Sequence, residues 1–121
     1  MKASPEFVAY LQDLFGALGF VRVRSMFGGA GVYAGEHMIG FLDRDETLYL
    51  RADDETRARF EAAGSRPFAY PLKDGSEMEI GYWRIPEDAL EAPDEALAWG
   101  RLALDAALRK AAKKRTPTRG T

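Results

Sequence analysis

Four glycines fall within ten residues in Met26-Phe27-Gly28-Gly29-Ala30-Gly31-Val32-Tyr33-Ala34-Gly35, a density that could cradle a phosphate. A dinucleotide fingerprint needs G-x-G-x-x-G between a strand and a helix, so that the pyrophosphate meets free N–H groups at the helix N-terminus. Here Gly29, Gly31 and Gly35 are spaced G-x-G-x-x-x-G, no Gly-Lys-Ser/Thr ending follows, and Val32-Tyr33 is strand-like. The nucleotide reading fails on both spacing and context. The glycines instead suit a sharp bend or bulge in a long first strand, where positive φ or a close backbone neighbour leaves no room for a Cβ.

The other chemical candidates are sparse. Without cysteine, disulfides, thiolate nucleophiles and Cys-based zinc sites are excluded. His37 is the only histidine and stands beside Glu36, too little for a metal site or a triad, so an exposed turn histidine is expected. Asp43-Arg44-Asp45-Glu46 lacks the twelve-residue loop of a calcium site and suits a solvated hairpin turn. Ser25 and Ser65 have no histidine placed to activate them, and Asp53-Asp54-Glu55 suits helix capping. No catalytic residue, metal or cofactor is expected.

Charge offers more. Arg22, Arg24, Arg51 and Arg84 lie on strand-like segments near Tyr49, Tyr82 and Trp83, the ingredients of a sheet face able to stack bases. The favoured alternative is a solvent-exposed face with cross-strand pairs to Glu77 and Glu79. The formal net charge of −2 conceals an asymmetry: residues 1–108 carry 11 basic against 19 acidic side chains, whereas Arg109, Lys110, Lys113, Lys114, Arg115 and Arg119 follow with no acid. A basic tail can contact phosphate weakly and in a salt-sensitive way, without reading sequence. In the alternative, these cations complement the dipole of a frayed helix end.

The elements that must hold these residues are legible from periodicity. Ser4 can cap a helix with Pro5 at its first position, and Phe7, Leu11, Leu14, Phe15 and Leu18 recur at helical spacing up to Gly19. Val21–Phe27 then alternates as a strand, and Met38–Leu42 and Thr47–Arg51 continue an antiparallel meander. Asp53 or Asp54 caps a short helix closed by Gly64. Two strands around Lys73-Asp74-Gly75-Ser76 form a second hairpin, with Pro71 placing one of them at an edge. Pro86 starts a helical turn, and Pro93 starts a last helix with Leu97, Gly100, Leu104, Leu108 and Ala111 on one face. The order is helix, three strands, helix, two strands, helix: an α+β fold with a five-stranded antiparallel sheet.

A length of 121 residues suits one domain, expected over 1–108, with 109–121 a basic, disordered tail. No run of about eighteen apolar residues and no signal-peptide pattern occurs, so a cytoplasmic protein without membrane contact is expected.

The stretches "RSMFGGAGVY", "LYLRADDETRARFEAAGSRPFAYP" and "IGYWRIPEDAL", in that order and followed by a closing helix, resemble the TfoX (Sxy) amino-terminal-domain family of bacterial competence regulators. The resemblance spans about Phe15 to Leu108. It implies a two-layer α+β fold of the kind found in secretion-chaperone-like domains, and no catalytic residues. Met26, Phe27, Gly28, Gly29, Gly31 and Tyr33 match the family signature, with Tyr49, Phe60, Gly64, Tyr82 and Pro86 further on, and most are expected to be architectural. Longer members carry a second, C-terminal helical domain linked to activation of competence genes, for which this chain has no room. The expected function is a non-enzymatic regulatory binding module acting mainly through protein contacts. A dimeric chaperone-like adaptor without a DNA role, or a small-ligand-binding domain, are the alternatives, and self-association is compatible with either.

Overall fold

The hydroxyl of Ser4 accepts a hydrogen bond from the backbone N–H of Phe7 and caps α1 (Pro5–Leu14), with Pro5 in the first turn where its missing N–H costs nothing. In the computed structural model, which describes residues 4–26 and 28–115, a 3-10 turn at Gly16–Leu18 links α1 to the sheet. Strands β1 (Val21–Met26), β2 (Gly29–Ala34), β3 (His37–Leu42) and β4 (Leu48–Arg51) follow as a meander. Then come α2 (Arg57–Ala62), β5 (Pro67–Pro71), β6 (Glu77–Arg84), a 3-10 segment at Glu87–Glu91 and α3 (Pro93–Arg115). The sheet is antiparallel throughout, in the order β1-β2-β3-β4-β6-β5.

The α+β class and the order of helices match the sequence reading, but the sheet has six strands, not five. The glycines do not bend one long strand. Met26 pairs with Gly29, and Gly28, at φ +67°, turns the chain between them, so the segment splits into the hairpin β1–β2. The irregularities of the ladder lie elsewhere: one at Val32/Tyr33 opposite β3, and one near Gly81, where β6 slips against β5 between Pro67 and Ala69.

One sheet face is covered by helices. Val21, Val32, Leu42, Leu48, Leu50 and Trp83 point into this layer and are buried with Leu11, Phe15 and Phe60 from the helical side. Each such side chain contributes about 1.5–3 kcal/mol on burial. Phe60 of α2 sits between Trp83, at 6.1 Å, and Trp99 of α3, at 4.6 Å, and so ties all three elements together. α3 buries the expected face only in part, with Gly100 buried and Leu104 packed against the core. Leu108 is 44% exposed, and the buried line is Ala96, Gly100, Ala103 and Ala107, because small residues let α3 approach closely. A Cβ at Gly100 would lie 2.6 Å from the Phe15 ring.

The expected disordered tail is likewise corrected in its first half. α3 runs on through Arg115, past the boundary at 108, and Arg109 is anchored to Asp53. Residues 116–121, including Arg119, lie outside the described residues.

Candidate functional site

The strand period of two divides the sheet's side chains, so what does not enter the helical layer must emerge on the opposite face. The register aligns Arg24, Gly31, Phe41, Tyr49 and Arg84 in one row across five strands. Beside it, Arg22 pairs with Tyr33 and Arg51 with Tyr82. The arginines and tyrosines singled out from the sequence thus share the helix-free face, whereas Trp83 points into the core.

Phe41 is the hub of this face. Its ring stacks on Tyr49 at 5.3 Å and meets Phe68 and Tyr82 at an angle, at 5.0 and 5.2 Å. Such offset and edge-on contacts add about 0.5–1.5 kcal/mol per pair beyond the area they bury. Guanidinium groups lie over the outer rings, Arg51 over Tyr82 at 5.0 Å and Arg22 over Tyr33 at 5.4 Å. Loss of hydration pushes the Tyr82 hydroxyl pKa up. The Tyr49 hydroxyl is also raised, first by burial and then by the negative charge of Asp43.

The expected cross-strand pairs to Glu77 and Glu79 do not form. These glutamates sit beyond the irregularity at Gly81 and face Pro71 and Ala69. Arg84 instead pairs with Glu87 at 3.1 Å, Arg51 donates to the Met38 carbonyl at 3.0 Å, and Arg22 donates to the Gly35 carbonyl at 3.1 Å.

Past Gly81 the β5–β6 hairpin extends away from the helical layer as an arm. Tyr70, Leu72, Met78 and Ile80 are 38%, 40%, 46% and 40% exposed, and Tyr70 donates its hydroxyl hydrogen to Met78 Sδ. Between this arm and β3 lies a concave pocket of about 780 Å³, walled chiefly by apolar side chains, with Gly28, Gly29, Asp43 and Arg44 at one end. The sequence reading listed the strands of the arm but missed the pocket and the apolar face. The alternation Phe68-x-Tyr70-x-Leu72 and Met78-x-Ile80 carried the signal.

Of the signature residues, Gly28 and Gly29 reach the pocket rim, Gly31 lies between Arg24 and Phe41, and Tyr33 lies under Arg22. Met26 closes β1, while its side chain and all of Phe27 lie outside the described residues. The other candidates stand apart. His37 opens β3 opposite Ala34 and is half-buried, which corrects the exposed turn histidine. Asp43 Oδ1 accepts the N–H groups of Asp45 and Thr47 and shapes the β3–β4 turn as expected. Arg109 is not available as a free cation, since it donates to Asp53 at 2.7 and 3.1 Å and lies 3.2 Å from Glu55. Lys110 and Lys113 are exposed, and Lys114 and Arg115 belong to the last turn of α3.

A six-stranded antiparallel sheet with helices on one face and these glycines at its first hairpin is the setting in which the sequence comparison becomes informative. A family model, the TfoX N-terminal domain, matches residues 13–107. The chain belongs to this family. No curated protein matches it. The matched span runs from the end of α1 to the middle of α3, so the TfoX N-terminal domain takes in every strand of the sheet and the whole pocket. Among the described residues of this domain, no group of three or more His, Cys, Asp and Glu side chains is arranged to hold a metal, and no helix is long and apolar enough to cross a membrane.

Proposed function

We propose that this TfoX N-terminal domain is a non-enzymatic regulatory binding module, acting in the cytoplasm of a bacterium in competence or transcription control through contact with a protein partner. The reading rests on family membership for its regulatory character and on one observation for its mode of action: the β5–β6 arm carries four exposed apolar side chains on a hairpin that no helix among the described residues covers. Contiguous exposed apolar groupings are a feature of protein contact surfaces. Lys110 and Lys113 add a local positive charge at the end of α3 that supports weak, salt-sensitive association with nucleic acid or an acidic protein.

The test is complementation. In a host deleted for this chain, the intact protein restores the transcripts and the transformation frequency that depend on it. Leu72→Glu and Met78→Glu leave the circular dichroism and Tm unchanged, because both sites are exposed, yet fail to restore them. Lys110→Gln with Lys113→Gln restores them with at most a modest loss. Full complementation by both arm variants refutes the reading.

A further inference from the structure

The pocket between β3 and the arm has opposite charges at one end and apolar walls everywhere else. Asp43 and Arg44 stand together in the turn that follows β3, while Phe41, Phe68, Ile80 and Tyr82 form the walls. Among the described residues, Arg44 has no ion pair with Asp43 or with any other acid. Asp43 is held in place because Oδ1 accepts both turn N–H groups, at 2.9 and 3.0 Å, and among the described residues no cation forms an ion pair with it. Gly28 lies beside this guanidinium, since a Cβ there would stand 3.4 Å from it, in ordinary contact.

This charge pattern selects its ligand by elimination. A simple anion gains Arg44 but meets Asp43, and a simple cation meets the reverse. A zwitterion with both charges at one end and an apolar body at the other satisfies every part of the pocket at once. The walls are largely aromatic, and a further ring set edge-on or offset against them gains stabilisation beyond the area it buries. The volume lies in the range of small-molecule sites, about 300–1,000 Å³.

We propose that the pocket binds a free α-amino acid with an aromatic side chain, its ammonium at Asp43, its carboxylate at Arg44 and its ring among Phe41, Phe68 and Tyr82. The inference goes beyond the regulatory reading and does not depend on it. Tyr70 and Ile80 belong to both the pocket wall and the arm, so an occupied pocket ties the arm to β3 and gives the docking surface a chemical input.

Isothermal titration and thermal unfolding of the full chain with L-tryptophan and L-phenylalanine test this. Saturable one-to-one binding is expected, with a Tm that climbs as ligand is added. Tryptamine, which lacks the carboxylate, and indole-3-propionate, which lacks the ammonium, bind about tenfold more weakly or worse, the usual loss when a charged partner is left unmet. Arg44→Gln and Asp43→Asn each weaken L-tryptophan by about the same factor. Asn keeps the oxygen that shapes the turn, so Tm without ligand stays near that of the parent protein. Arg44→Gln also abolishes the difference between L-tryptophan and tryptamine. Absence of saturable binding by either amino acid, analogues that bind as tightly as L-tryptophan, or indifference to Arg44→Gln overturns the proposal. None of these results alters the complementation outcome for Leu72 and Met78, so the two readings fail separately.

Discussion

A Cβ added to Gly29 would lie 2.0 Å from the carbonyl oxygen of Leu42, and the obstacle is backbone that cannot swing aside. Gly29→Ala must therefore push β2 away from the end of β3. A loss of about 2–3 kcal/mol is expected, the upper part of the range for overpacking, measurable as a lower urea midpoint with unchanged slope. That these glycines are architectural was legible in their spacing. Which atom stands in the way was not, because Leu42 is brought there by a hairpin. The same limit hid the partner of Asp53, for Arg109 lies 56 positions away. Asp53 or Asp54 is the cap the sequence suggests for α2, but the N-cap is Thr56, without a side-chain cap bond, and Asp53 Oδ1 instead accepts the N–H groups of Glu55 and Thr56 in the turn before the helix. The Arg109 guanidinium adds the larger effect and holds the Asp53 carboxyl below its ordinary value of 3.8. A depressed folded-state pKa gives stability that is present above the unfolded value and is lost as pH falls through the folded one. Arg109→Gln is thus expected to lower Tm by a constant amount from neutral pH down to about pH 5, corresponding to about 1 kcal/mol for a pair that is largely but not fully buried, with the gap to the parent protein closing below about pH 4. Thermal melts across that range check it.

At the scale of elements, periodicity placed every helix and nearly every strand but placed one helix face only in part. Leucine is the more hydrophobic residue, so Leu97, Leu104 and Leu108 looked like the buried line of α3. Gly100, which belongs to the same expected face, and Leu104 do lie against the core, but Leu108 is exposed and the fully buried positions are alanines with Gly100. In an exposed helix, Gly→Ala stabilises by about 1 kcal/mol. Here Gly100→Ala meets the Phe15 ring, which is fully buried, and a net loss of about 1–2 kcal/mol is expected. Phe15→Leu in the same chain makes room, so the double variant is expected to be more stable than the sum of the two single losses, which a double-mutant cycle in urea measures. The split of the expected first strand into β1 and β2 has a similar origin. A glycine with positive φ turns the chain only if its neighbours then find partners, and the pairing of Met26 with Gly29 is not visible in local sequence.

For the molecule as a whole, the α+β class followed from the order of elements, and the family from the order of short stretches. The disorder expected from 109 onward does not begin there, because a change in charge composition is not by itself a change in structure. α3 crosses that point without interruption, and Arg109 fastens its end to the loop before α2. Truncation after Leu108 is therefore expected to lower the urea midpoint at least as much as Arg109→Gln does, rather than to remove an inert tail; equal stability of the truncated and intact chains would contradict this. The two borders of the sheet carry a further consequence. On β5, Pro67 and Pro71 have no N–H to offer an approaching strand, and on β1 the flanks carry Arg22 and Arg24. A sheet finished in this way resists growth by strand addition, so concentrated solutions should stay free of fibrils, and Pro71→Thr should be the change that begins to undo that protection.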